Sequence, residues 1–382
     1  MFKNKSYHYP WRQNNRFQVL IDGSNFFSAM LNEIKKAKKQ ILFEAYLFES
    51  GITADQFISA LCAAKKRNVE VFILLDEYGT KALLQTDKNK ITESGIKLLL
   101  YNPVNFLHLG QSLKRNHRKL MVVDNMVAFI GGAGITDDFN PSVRPDYWHD
   151  IMLKTEGDIV SDLSDSFYEV WNKQQPLFET TTTKISQPYH SKIKQARIII
   201  AQGTENNEIN RTIINHIRAS KNRIWLTSPY FISSWKIRRA LRYAANKGVD
   251  VRLIFPGPHS DHKWITHGIR RYYHRLLHSN VSIYEYQPRF SHSKIFLCDN
   301  WFTLGSSNLD RWNQFLNLDA NIEVFDANSC EQIIKLFLSD FSLSKKITLT
   351  QWKTRSYLQR IKEWISGFAV RQLEKVIRKF KR

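Results

Sequence analysis

The sequence predicts an α/β fold of two duplicated domains, each a mostly parallel β-sheet flanked by helices. Three observations carry this expectation. The chain repeats itself once, and each copy alternates apolar β-rich runs with segments of helical period. Its 382 residues, 43% hydrophobic and 13% aromatic, are also enough to build about two buried cores.

The repeat unfolds in the same order in both halves. ILFEAYLF at 41–48 is echoed by IWLTSPYF at 224–231, and these continuously apolar runs suit strands covered on both faces. ALCAAKKRNVEVFILLDEYG at 60–79 is echoed by ALRYAANKGVDVRLIFPGP at 240–258, a helix feeding a strand, with Phe57, Leu61 and Ala64 at helical spacing. HRKLMVVDNMVAFIGG at 117–132 is echoed by HSKIFLCDNWFTLGSS at 292–307. The separation shrinks from about 183 residues (Ile41 to Ile224) to about 175 (His117 to His292), as loop insertions and deletions between two copies produce. Between the copies, a Thr run and two prolines break any period. The expected organisation is a first domain over 1–172, a linker over 173–195, a second domain over 196–344 and a basic amphipathic tail over 345–382.

A formal charge of +21 implies partners that are anionic: nucleic acid, a membrane surface or phosphorylated substrates. Cys62, Cys298 and Cys330 lack the spacing of a disulfide framework or a zinc site, which points to a reducing compartment. The N-terminal residues show no apolar signal core, and no run reaches the ~18 apolar residues of a membrane span. No metal or other cofactor is expected, because no His, Cys or carboxylate cluster has ligand spacing.

Each copy carries the pattern HxKxxxxD: His117, Lys119 and Asp124, then His292, Lys294 and Asp299. On a strand, residues two apart share a face, so one strand presents an imidazole and an ammonium to the same pocket. In a chain of this composition the pattern arises by chance roughly 0.04 times, so two occurrences at equivalent repeat positions are not accidental.

This doubled motif, followed by a Gly-Gly or Gly-Ser turn, resembles the phospholipase D superfamily over about residues 16–342. The phrases VLIDGSNFFSAML, ILFEAYLF, VEVFILLDEYG, SPYF, GVDVRLI and GSSNLD are similar to bacterial cardiolipin synthases of the short type without N-terminal membrane spans. Two departures stand out. Gly134 occupies a place where the family more often has Asn, and the second copy is one residue shorter between Asp299 and Gly305 than the first between Asp124 and Gly131, as a tighter hairpin turn would be.

The resemblance implies an active site on the pseudo-twofold axis between the domains and a covalent phosphohistidine. His117 is then the nucleophile and His292 the general acid, with near symmetry leaving the order open. Lys119 and Lys294 would hold the phosphate, aided by Ser306, Asn308, Gly131 and Gly132. Asp150 and Asp319, later in each copy, are the expected acidic partners that fix the imidazole tautomers. Asp124 and Asp299 belong to the motif but lie at strand ends, where support of the fold is their expected part.

By the same resemblance the reaction joins two phosphatidylglycerol molecules into cardiolipin plus glycerol. The alternatives are a phospholipase D-type hydrolase of lipid or nucleic-acid phosphodiesters, or a silent protein that binds anionic surfaces. Phe106, Leu107 and Leu109 before the first motif, the aromatic and basic segment 262–277, and the tail favour an anionic phospholipid partner over obligatory nucleic acid. From Trp352 onward ten basic residues stand against Glu363 and Glu374, beside a stripe including Leu358, Ile361, Ile365 and Phe368. The expected location is therefore peripheral, on the cytoplasmic face of a bacterial membrane. The sequence fixes no oligomeric state, and the duplication removes the need for a dimer.

Overall fold

The computed structural model describes residues 7–105, 112–175, 194–203, 206–310 and 316–379. Phe106, Leu107, Leu109, most of the expected linker and the last three residues of the tail lie outside the described residues.

The first half forms a seven-stranded sheet of β1 (Asn15–Ile21), β2 (Gln40–Ala45), β3 (Glu70–Asp76), β4 (Lys97–Tyr101), β5 (Leu120–Val123), β6 (Val127–Gly131) and β7 (Ile151–Gly157). Its order is β1-β7-β6-β5-β2-β3-β4. The second half forms a nine-stranded sheet of β8 (Gln195–Gln202), β9 (Asn206–Asn207), β10 (Arg223–Thr227), β11 (Asp250–Pro256), β12 (Ser282–Tyr286), β13 (Ile295–Cys298), β14 (Trp301–Gly305), β15 (Leu318–Phe325) and β16 (Ser344–Ile347). Its run β8-β15-β14-β13-β10-β11-β12 reproduces the first sheet strand for strand, with β9 and β16 added at the edges. The duplicated α/β architecture is thus what the chain adopts.

Both sheets are mixed. Parallel pairing is confined to β2-β3-β4 and β10-β11-β12, where helices such as Ile52–Lys66 and Trp235–Asn246 provide the crossovers. Strands β5, β6 and β7 follow one another through connections without a crossover helix and pair antiparallel, and their counterparts β13, β14 and β15 also pair antiparallel. An apolar run buried on both faces carries no sign of its direction, which is why the sequence pointed to a more uniformly parallel sheet. The β5-β6 turn closes between Val123 and Val127, whereas β13-β14 closes between Cys298 and Trp301, so the second hairpin is tighter by one residue. Asp124 (φ 54°) and Asp299 (φ 50°) take the left-handed conformation that opens each turn, one that Asp tolerates better than most side chains.

The two halves are one body. A central apolar cluster draws Leu42, Leu120 and Ile130 from the first sheet and Ile198, Leu297 and Phe302 from the second, with helices Ile159–Gln174 and Ala327–Ser342 contributing Trp171 and Phe337. Outer clusters around Phe43 and Phe57, and around Phe255 and Tyr273, cover the opposite faces. Each sheet is therefore buried on both sides, which the runs of apolar strand residues require.

Two boundaries differ from the expectation. Residues 7–12 cross to the second half: Arg12 and Ala196 exchange backbone hydrogen bonds of 2.8 and 3.0 Å, and the Arg197 guanidinium lies 3.4 Å from the Tyr7 ring centroid. At the other end, β16 pairs with β12 and Trp352 is buried with its ring 4.9 Å from Tyr273, so the second body continues past 344 to about Lys353. The helix Tyr357–Lys379 then packs along the helix Lys263–Arg270, with Arg271 Nη1 donating to the Gly367 carbonyl at 2.7 Å. No helix among the described residues is long and apolar enough to cross a membrane.

Candidate active site

The backbone ahead of each motif strand pairs with a segment of the opposite half. His117 N donates to Leu318 O at 2.9 Å, and His292 N donates to His149 O at 2.8 Å. These short parallel bridges place the next residue of each partner segment beside the imidazole. His117 Nδ1 lies 3.0 Å from Asp319 Oδ1, and His292 Nδ1 lies 2.7 Å from Asp150 Oδ2. The acidic partners are crossed: each histidine is oriented by the carboxylate of the other copy.

All six of these residues and lysines are buried, with Asp150 and Asp319 at 1% exposure or less and the histidines at 7%. Burial, reinforced by Lys119, brings the His117 pKa down to about 4, against the opposing pull of Asp319. Burial and Lys294 lower that of His292 against Asp150. Lys119 falls well below its ordinary value through burial and then Lys294, while burial brings Lys294 down to about 8. Burial works against ionisation of Asp319, yet its hydrogen bond to His117 prevails and the carboxyl sits below its usual range. A carboxylate on Nδ1 leaves Nε2 of a neutral ring to meet an electrophile. Each lysine folds back on its own motif, Lys119 Nζ donating to His117 O at 2.6 Å and Lys294 Nζ to His292 O at 2.7 Å. Lys294 Nζ also lies 3.1 Å from both ring nitrogens of His292.

The turn residues divide in their parts. A Cβ on Gly132 would fall 2.7 Å from the Asp150 carboxylate oxygens, so glycine there admits the acid. The equivalent Ser306 in the second copy donates to Asp319 Oδ1 at 2.7 Å and accepts from Ala320 N at 3.1 Å. Its hydroxyl is thus engaged in orienting the acid, a correction to its expected place on the phosphate. Gly131 is a packing glycine, since a Cβ would lie 2.5 Å from Ile151 O. Gly134 lines the cavity against Leu47, and Asn308 lines it from the second copy with Oδ1 buried and unpartnered.

Asp124 and Asp299 do not join the cluster. Asp124 accepts from the backbone N–H groups of Lys38, Lys39 and Gln40 at 2.7–2.8 Å. Asp299 accepts from Lys221, Asn222 and Arg223 at 2.8–3.0 Å. Each carboxylate thereby anchors the entry to the neighbouring strand, β2 or β10.

The motif residues open into a cavity of about 420 Å³. Its walls include Tyr46, Trp148, Tyr230 and Asp261, none of which the sequence singled out as part of a site, and His262, the first residue of the aromatic and basic segment. Tyr46 packs its ring 4.8 Å from His117, and Trp148 lies 5.5 Å from His292. The two aromatics sit in runs that read as core, and Asp261 has no spacing relation to either motif. The repeat offered one indirect signal, since residues 259–262 have no matching phrase in the first copy.

Comparison with known proteins places this arrangement. The family model described as cardiolipin synthase, PLD-like domain, matches residues 30–171 and 213–341. The cardiolipin synthase of Alkalihalophilus pseudofirmus is 30% identical over 357 residues, 91% of this chain and 70% of that protein. A cardiolipin synthase of Clostridium perfringens is 28% identical over 366 residues, 93% of this chain and 76% of its own. Among solved structures, the phosphatidylserine synthase of Haemophilus influenzae superposes with a TM-score of 0.75 over 94% of both chains at 13% identity, a likeness of fold. The chain therefore belongs to the cardiolipin synthase family of phospholipase D-like proteins and is a phosphatidyltransferase-type enzyme of that superfamily.

Proposed function

We propose that the enzyme joins two phosphatidylglycerol molecules into cardiolipin and glycerol through a phosphohistidine. The observation that carries the reading is the pair of crossed His–Asp couples flanked by two buried lysines. His117 Nε2 attacks the phosphorus of the first lipid, and His292 gives its proton to the departing glycerol oxygen. His292 then takes the proton of a terminal hydroxyl on the second lipid, which attacks phosphorus and breaks the P–N bond. Lys119 and Lys294 balance the charge of the non-bridging oxygens, and that phosphate charge in turn favours a protonated imidazole opposite the nucleophile.

The asymmetry of the couples supports this order of roles. Burial and the Lys294 ammonium 3.1 Å from its ring lower the His292 pKa, so its protonated form depends on the charge of the bound phosphate. His117 is the imidazole brought down to about 4, hence neutral and nucleophilic at working pH. The test is thin-layer analysis of labelled phosphatidylglycerol incubated with the purified chain. Cardiolipin and free glycerol are the expected products; phosphatidic acid alone would establish a hydrolase instead, and no conversion a silent binder.

The lipid reading extends to an anionic membrane surface, on the cytoplasmic face of the cell membrane. The terminal helix turns Leu358 and Ile365 outward at 71% and 55% exposure, beside Arg360 and Lys362. It packs on the helix bearing Trp264, which is itself exposed and lines the cavity. An apolar and basic surface continuous with the mouth of the site suits a substrate held in a leaflet.

A further inference from the structure

The catalytic groups are nearly symmetric, but the cavity around them is not. The first half lines it with Tyr46, Leu47, Gly132, Gly134, Phe139 and Trp148 besides its motif residues, and none of these is acidic. The second half adds Asp261, from the loop between β11 and the helix Lys263–Arg270. Its side chain is 16% exposed and accepts a hydrogen bond from the hydroxyl of Tyr230, another wall of the cavity. The loop is held in shape by Thr266 Oγ1 donating to Ser260 Oγ at 3.0 Å.

A carboxylate is an unfavourable neighbour for a phosphodiester, and this one shares a cavity with the lysine and histidines that attract phosphate. It belongs beside a part of the substrate that donates hydrogen bonds. A carboxylate offers about four acceptor sites, so Tyr230 leaves it able to accept more. The two nearby motif lysines already repel a cationic headgroup, which leaves uncharged hydroxyls as the fitting donors.

The position of Asp261 selects which hydroxyls. Its charge acts on His292 and Lys294, so it stands on the second-copy side of the site. In an in-line displacement the alcohol leaves from, and enters on, the side of the acid and base, opposite the nucleophile. Resting on the transfer reading above, we propose that Asp261 and Tyr230 form the alcohol subsite, where the carboxylate accepts hydrogen bonds from the free glycerol hydroxyls of the leaving headgroup and then of the incoming one.

The experiment is acceptor competition with the purified full chain and phosphatidylglycerol in detergent micelles, using labelled glycerol, whose transfer gives labelled phosphatidylglycerol, against labelled 1-propanol, which lacks the vicinal hydroxyl. Selectivity is the ratio of phosphatidyl transfer to the two alcohols. Wild-type enzyme prefers glycerol, and Asp261→Asn lowers the ratio by about tenfold or more, the effect of losing a hydrogen bond to a charged group. Tyr230→Phe, which keeps the ring and removes the hydroxyl, lowers it several-fold and carries the same test should Asp261→Asn not fold. An unchanged ratio in the folded variants overturns the subsite while leaving the transferase reading in place. A wild-type enzyme that converts phosphatidylglycerol to phosphatidic acid alone, with no transfer to glycerol, 1-propanol or a second phosphatidylglycerol, overturns the transferase reading, and the subsite with it.

Discussion

His149 Nδ1 lies 2.7 Å from Asp22 Oδ1, deep in the seam between the halves and one residue before the acid that orients His292. The ring stacks on Tyr286, its Nε2 is 3.4 Å from Asp340, and Arg289 donates to the same Asp22. Burial disfavours the charged ring, but the two carboxylates prevail and raise its pKa from 6.5 to about 10. The unfolded chain binds this proton less tightly, so the contribution to stability is complete below pH 6.5 and is lost as pH rises toward 10. His149→Gln removes a charge from a buried couple and is expected to cost on the order of 3 kcal/mol at pH 7. Burial lowers the Lys294 pKa to about 8, which acts in the opposite sense but is common to both proteins. Urea unfolding at pH 7 and pH 10 checks this: the gap between wild type and variant should narrow at the higher pH, and a constant gap would contradict it.

The crossing of the acids gives a prediction that spacing could not. Asp319→Asn should disturb His117, and Asp150→Asn should disturb His292, because the couples span the two copies. In ¹⁵N-imidazole NMR each substitution shifts the tautomer of the histidine in the opposite copy. Turnover falls roughly 10²- to 10⁴-fold, as when an imidazole loses its tautomer-fixing acid. Adding His117→Ala to Asp319→Asn should bring little further loss, since the two act as a unit. An Asp319→Asn spectrum with the change at His292 would reverse the assignment.

How much was legible follows from where the information lies. His117, Lys119, His292 and Lys294 announce themselves because catalysis needs fixed residue types at a fixed spacing on one strand, twice. Asp150 and Asp319 were reachable by resemblance, but their exchange between copies depends on the backbone bridges at Asn116–Leu318 and His149–Ser291, which join residues far apart in sequence. Asp261 and Tyr230 meet through tertiary folding alone. Trp352 read as part of a free tail because a helix buried on the protein and one resting on a membrane share the same period, and only the packing against Tyr273 separates them. His149 carries no signal in the sequence because its two acids, Asp22 and Asp340, are distant from it along the chain.

Gly134, the departure from the family pattern, has a steric cause. A Cβ there would stand 2.5 Å from Leu47 Cβ and 2.9 Å from its carbonyl oxygen, and Ile135 N donating to that carbonyl at 2.9 Å prevents Leu47 from backing away. Restoring the family residue with Gly134→Asn should therefore destabilise the enzyme by about 1–3 kcal/mol rather than improve it. Thermal unfolding with a parallel turnover assay decides: higher activity at unchanged stability would mean that the missing side chain, and not the space, limits this enzyme.

The terminal helix calls for a cut placed by structure. A chain ending at Thr350 would lose Trp352, buried against Tyr273, and with it part of the second core, so it is expected to be destabilised. A chain ending at Thr354 keeps that tryptophan and the capping box of Thr348 and Gln351, and is expected to fold. It lacks the exposed Leu358, Ile365 and Phe368 and six basic residues of the helix Tyr357–Lys379, Arg360, Lys362, Arg371, Lys375, Arg378 and Lys379. Basic residues near an anionic leaflet contribute roughly 1 kcal/mol each, so even two or three of them correspond to about a hundredfold in vesicle partitioning. Sedimentation with phosphatidylglycerol vesicles at low and high salt measures the loss, which should be largest at low salt. Activity on detergent-dispersed substrate should change far less, because the crossed His–Asp couples lie in the seam between the sheets. Equal vesicle binding by the folded 354-residue chain would assign the anchor to the surface around Trp264 instead, and leave the terminal helix a part of the scaffold.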